Sequence, residues 1–201
     1  MTAPARTRTV APAWPLYLAA FAIAAVVAGA VGEAFSGGSL AELGIPDPGA
    51  ATTVGLPALR GVAWLLMALT TGSFLLSAFL IPPKQTQQDL NGARLTVDGH
   101  LASRTGAHAS AGIALIGLVM IPLVLSDVSG QPLKTVLFEA AAWSQALDQV
   151  ADARVWLIVA VFAAIVAAFA YTATSWWSQV WLFVGAIVVV MPIALTGHSA
   201  T

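Results

Sequence analysis

The sequence predicts an all-α fold: a polytopic integral membrane helix bundle of about five transmembrane helices with one extracytoplasmic amphipathic helix. Three observations carry that expectation. Charged residues are 8% of this 201-residue chain and apolar residues 59%, whereas soluble domains hold about a quarter charged residues, so too little polar surface exists to cover a soluble globule. Five apolar stretches each approach or exceed the ~20 residues a helix needs to cross a hydrocarbon core of about 30 Å. None alternates over about ten residues as a barrel strand does.

The first stretch, 14–35, follows Arg6 and Arg8, and Ala28-Gly29-Ala30 inside it resembles a signal-peptide cleavage site. Its apolar run exceeds the roughly 7–15 residues of a signal core, so it reads as an uncleaved helix. Ala20, Ala24, Ala28 and Gly32 recur every four residues along it and give a smooth face for a neighbouring helix. The loop at 36–55 and the later one at 82–104 carry Gly, Pro, Asp and Asn turn signals, and neither is long enough for a separate domain. The second and third helices are expected at 56–81 and 106–126. At 133–150, Leu133, Val136, Leu137, Ala140, Trp143, Leu147 and Val150 fall at helical spacing while Lys134, Glu139, Gln145, Asp148 and Asp152 take other positions. That pattern predicts an amphipathic helix on the outer membrane surface. The last two spans are expected at 155–174 and 177–196. No internal repeat is evident, and residues 1–201 read as a single membrane domain.

Loop charge predicts the orientation. Arg6, Arg8, Lys84, Arg94 and Arg104 fall in the N-terminal tail and second loop, and Arg60, Lys134 and Arg154 near the opposite face. The positive-inside rule then places the N-terminus in the cytoplasm and, after five crossings, the C-terminus outside the cytoplasmic membrane. Trp14, Tyr17, Tyr171, Trp176, Trp177 and Trp181 are expected to mark the inner interface, Trp143 and Trp156 the outer one. Glu33, Arg60 and Arg154 lie at helix ends, where snorkelling to the interface accounts for them.

Several function classes fall away on composition and motif. Eight Lys plus Arg against nine Asp plus Glu offers no basic field for nucleic acid. The absence of Cys excludes disulfides and thiolate metal sites. Phosphate-binding, dinucleotide, HExxH and serine-elbow motifs are missing, so no catalytic residue is assigned and an enzyme is not expected.

A Met and His set remains. Met120 on the third helix and Met191 on the fifth lie at similar depth, roughly 9 Å below the outer surface, and Met67 on the second about 15 Å below it, at 1.5 Å per residue. His198 follows Met191 by seven residues, two helical turns, which is the same face if the helix continues. Thioethers and imidazole suit Cu(I), so His198, Met191, Met120 and Met67 form a candidate ladder of metal ligands in the outer half of the bundle. Gap filling explains a buried Met equally well. Pro122 and Pro192 each follow a Met closely and free a backbone carbonyl one turn earlier. His108 is expected near the cytoplasmic end of the third helix, hydrogen-bonded to a neighbouring helix or to interfacial water, and His100 in the solvated loop. Without paired histidines at one depth, haem is not expected.

The run Gly44-Ile45-Pro46-Asp47-Pro48-Gly49, then Gly55-Leu56-Pro57-Ala58-Leu59-Arg60 and the helix end Ala78-Phe79-Leu80-Ile81-Pro82 resemble the N-terminal membrane region of actinobacterial copper resistance D/CtaG fusion proteins. Ser126-Asp127-Val128-Ser129-Gly130-Gln131-Pro132-Leu133 and the terminal Leu195-Thr196-Gly197-His198 look like the same family. The resemblance implies copper transport or copper handling at the cytoplasmic membrane, with His198 of the Thr196-Gly197-His198 match as a ligand. The alternative it implies is a membrane scaffold for cytochrome c oxidase assembly without metal translocation. Expected partners are the lipid bilayer and a CtaG-like region or respiratory oxidase subunits. In the long form of that family a CtaG-like region follows, so the chain is expected to be an N-terminal portion of a longer one.

Overall fold

The structure, a computed structural model, describes residues 14–36, 48–83 and 93–196. Its helices are α1 (Trp14–Ser36), α2 (Ala50–Thr53), α3 (Gly55–Leu75), α4 (Val97–Ser129), α5 (Leu133–Phe138), α6 (Ala140–Gln149), α7 (Ala151–Thr172) and α8 (Trp176–Thr196), with a π-helical turn, Leu76–Leu80, continuing α3. Among the described residues no strand forms, and one isolated bridge joins Arg94 to Ser175. Five helical segments are long and apolar enough to cross a membrane, which agrees with the all-α membrane bundle read from the sequence.

The 33-residue α4 is the axis of the bundle. It packs along α7 on one side and α3 on the other, α8 closes the ring between α7 and α3, and α1 leans on the outside of α3. Small residues set these distances. A Cβ on Gly117 of α4 would lie 3.0 Å from the Trp156 carbonyl oxygen and 2.9 Å from the Ala160 Cβ, so α4 and α7 meet nearly backbone to backbone. The α1 seam is built as its spacing suggests: Ala24 and Ala28 face Gly61 of α3, and Gly32 faces Pro57, while Ala20 stays exposed. Large apolar side chains such as Leu16, Ile23, Leu115 and Ile165 are exposed around the outside, as expected where the surrounding solvent is lipid.

The third span is longer than its apolar core suggests. It starts at Val97, where the sequence predicts loop to 104, because Thr96 caps it by accepting from the Gly99 N–H at 3.2 Å and Asp98 sits in the first turn. His100 is therefore helical and half-buried, and not in a solvated loop. At its other end Gly130, with φ 65°, supplies the left-handed residue that stops the helix. The second span, expected at 56–81, ends in the π turn, where Ile81 N–H reaches the Leu76 carbonyl at 3.0 Å. The fourth begins at Ala151, about one turn earlier than 155.

The amphipathic segment 133–150 is two helices, α5 and α6, broken at Glu139, whose backbone is extended. A straight helix of that length would run about 27 Å along one line. The break lets Leu133 and Val136, then Trp143 and Val150, reach the ends of α4 and α7 in turn. Trp156 also departs from its expected place: it is 4% exposed and part of the core, not an interfacial anchor.

Candidate functional site

Met67 and Met191 meet in one groove. Residues at helical spacing on α3 (Trp64, Met67, Ala68, Thr71) face a matching set on α8 (Ile187, Val190, Met191, Ala194) across a cleft of about 430 Å³. Met67 is 2% exposed and forms part of the floor, whereas Met191 is 55% exposed at the lip. Thr71 carries the one side-chain oxygen among these lining residues. The lining thus combines two thioethers and one indole, groups that suit a soft cation, with few hard donors to compete. The helices run antiparallel, so the spacing 64, 67, 68, 71 on one meets 187, 190, 191, 194 on the other along the whole groove.

Met120 is fully buried in the core of α4 and is not among the groove's lining residues. α4 lies across the ring from α8, so the three methionines do not share one lining. His198 lies outside the described residues. Among the described residues, no three His, Asp or Glu side chains gather as a hard-metal cluster.

The end of the bundle where α4 stops is tied by polar contacts that sequence reasoning missed. Arg60 of α3 forms an ion pair with Asp152 of α7 at 3.2 Å, both side chains partly exposed, where end-of-helix snorkelling was expected. Such a partly exposed pair contributes at most about 1 kcal/mol. Ser126 donates to the Gln131 carbonyl at 2.6 Å, so the 2.8 Å contact between Thr52 and Ser126 has the Thr52 hydroxyl as donor. Alternating polar residues 74 positions apart give no local signal of such a bond.

At the end where α4 begins, three chain segments are stitched together: Trp176 N–H to the Ala93 carbonyl at 2.9 Å, Leu95 N–H to the Thr174 carbonyl at 3.3 Å, and Trp176 Nε1 to the Ala78 carbonyl at 2.7 Å. His108 makes its hydrogen bond within its own helix, Nδ1 to the Arg104 carbonyl at 2.6 Å, and meets the neighbouring helix through an edge-to-face contact with Tyr171 instead.

A family model, the copper resistance protein D-like N-terminal domain, matches residues 50–201, more than half of the chain. No curated protein and no solved structure matches it.

Proposed function

The chain belongs to the copper resistance protein D-like N-terminal domain family, and from that premise we propose that it transports copper at the cytoplasmic membrane through the Met67 and Met191 groove. The convergence of these two thioethers from different helices carries the reading. Cu(I) accepts soft ligands at low coordination number, and a pair of thioethers binds it weakly enough to let it go. Met191, exposed at the lip, and Met67, buried at the floor, are the two ligands that hold the ion between α3 and α8. His198, two residues past the described end of α8, is the imidazole that this reading adds to the two thioethers. In this reading the chain is a carrier and not an enzyme.

Cu(I) retained by purified protein tests the proposal. Met→Leu nearly conserves volume and costs less than about 1.5 kcal/mol, so lost binding reports on sulfur and not on packing. Wild type is expected to retain copper, and the Met67→Leu, Met191→Leu double variant to bind it about tenfold more weakly or worse, the effect of losing at least 1.4 kcal/mol of ligation. Equal copper binding by both proteins at matched folding would remove the groove as a copper site. Co-purification of oxidase subunits with a copper-free protein would move the assignment to an assembly scaffold.

A further inference from the structure

Where α4 begins, its surface carries Arg104 between two histidines, and no carboxylate of the described residues pairs with it. His100, Arg104 and His108 recur every four residues and lie on one face. Arg104 is held from two sides: its Nε donates to His100 Nε2 at 3.4 Å, and its guanidinium carbon sits 5.4 Å from the centroid of the Tyr171 ring on α7. The His108 ring packs edge-on against the same Tyr171 at 5.5 Å, and its Nδ1–H is spent on the Arg104 carbonyl. Arg60 finds a carboxylate at 3.2 Å, but no acid of the described residues pairs with Arg104, and its terminal nitrogens make no hydrogen bond to any of them. Asp98, the acid nearest in sequence, stands six residues earlier on another face of α4. The result is a partly exposed guanidinium whose two terminal nitrogens are left to donate.

Its level in the membrane identifies what it meets. A 33-residue helix is about 50 Å long and the hydrocarbon core about 30 Å, so several turns of α4 stand in the headgroup regions. The uninterrupted apolar run begins after His108, which puts Arg104 among the headgroups. Further along the same stripe the exposed residues become apolar, with Leu115 67% and Val119 49% exposed. A cationic fork above an exposed aliphatic track has the order of a phospholipid, phosphate above acyl chain.

We propose that Arg104, positioned by Tyr171 and His100, binds the phosphate of an anionic phospholipid whose acyl chain lies along α4 toward Leu115 and Val119. The site is distinct from the methionine groove and does not depend on copper or on the orientation of the chain.

Native mass spectrometry of the full chain in detergent, given phosphatidylglycerol or phosphatidylcholine of matched acyl chains, tests it. Wild type is expected to retain phosphatidylglycerol about tenfold better, the scale of one charge-assisted contact. Arg104→Gln should bring that preference close to one, Arg104→Lys should keep only part of it because the fork is lost, and Lys134→Gln, at the other end, should leave it unchanged. Arg104→Lys preserves the charge, so it reports even if Arg104→Gln does not fold. Equal retention of the two lipids by wild type, or an undiminished preference in both Arg104 variants, overturns the proposal. Displacement of bound phosphatidylglycerol by inorganic phosphate alone would also overturn it, since the site would then serve a soluble anion.

Discussion

Ser126 sits at the centre of a short hydrogen-bond chain that runs from Thr52 to the Gln131 carbonyl. Thr52 and Ser126 are both fully buried, so deleting the Ser126 hydroxyl leaves the Thr52 donor without a partner in a dry place. Ser126→Ala should therefore destabilise the protein by roughly 1–3 kcal/mol, the cost of an unsatisfied buried group. Thr52→Val, which removes the donor itself and nearly keeps the shape, should cost less. Thermal unfolding in detergent checks the order, and equal losses would mean that the bond is not what holds Ser126 in place. At this scale the sequence discloses chemistry without direction. Met67, Met120 and Met191 are visible as thioethers in apolar helices, but helical spacing does not say which stripe of one helix meets which stripe of another. Trp64 and Thr71 were missed for that reason: they lie on the Met67 stripe, and nothing local marks that stripe as facing α8.

Close approach of whole elements rests on α4, and the tightest approach is at Gly117. A side chain there meets the Trp156 carbonyl at 3.0 Å and the Ala160 Cβ, neither of which can rotate away. Gly117→Val should force α4 and α7 apart and cost about 1–3 kcal/mol, as overpacking does elsewhere. Gly55→Val is the control, because a Cβ there would meet no atom within 4 Å. A melting temperature lowered equally in both variants would show that backbone freedom, and not α4–α7 contact, decides the effect. The apolar cores of all five spans were legible because lipid imposes both length and composition. The extra turns of α4 were not, since residues 97–105 are too polar for a hydropathy reading. The signal that finds them is local: Thr96 followed by Val97-Asp98-Gly99 is an N-cap with an acid in the first turn. No comparable signal marks the break at Glu139, which serves tertiary contacts on either side of it.

The described spans form a four-helix ring with α1 applied to its rim, and five crossings of a membrane would leave the start of α1 and the end of α8 on opposite sides. Which side is which depends on charge placed outside the apolar spans. Arg94 and Arg104 lie at the end of the bundle where α4 begins, Lys84 precedes them in the sequence of the same loop, and Arg60, Lys134 and Arg154 stand at the other end. Adding Arg6 and Arg8 ahead of α1, the bias is five to three, and the positive-inside rule turns it into an expected topology with the N-terminus inside. A topology reporter fused after Thr201 should then be active only outside, and one inserted near Asn91 only inside. Because Arg6 and Arg8 supply two of the five, Arg6→Gln, Arg8→Gln should leave a balance of three to three and give a mixed population. The reverse pattern in the unmodified chain would put the Met191 lip of the groove on the cytoplasmic side. The two thioethers would still share one groove, so copper binding would survive that result, but the outward assignment of His198 and the sense of copper entry would both be reversed.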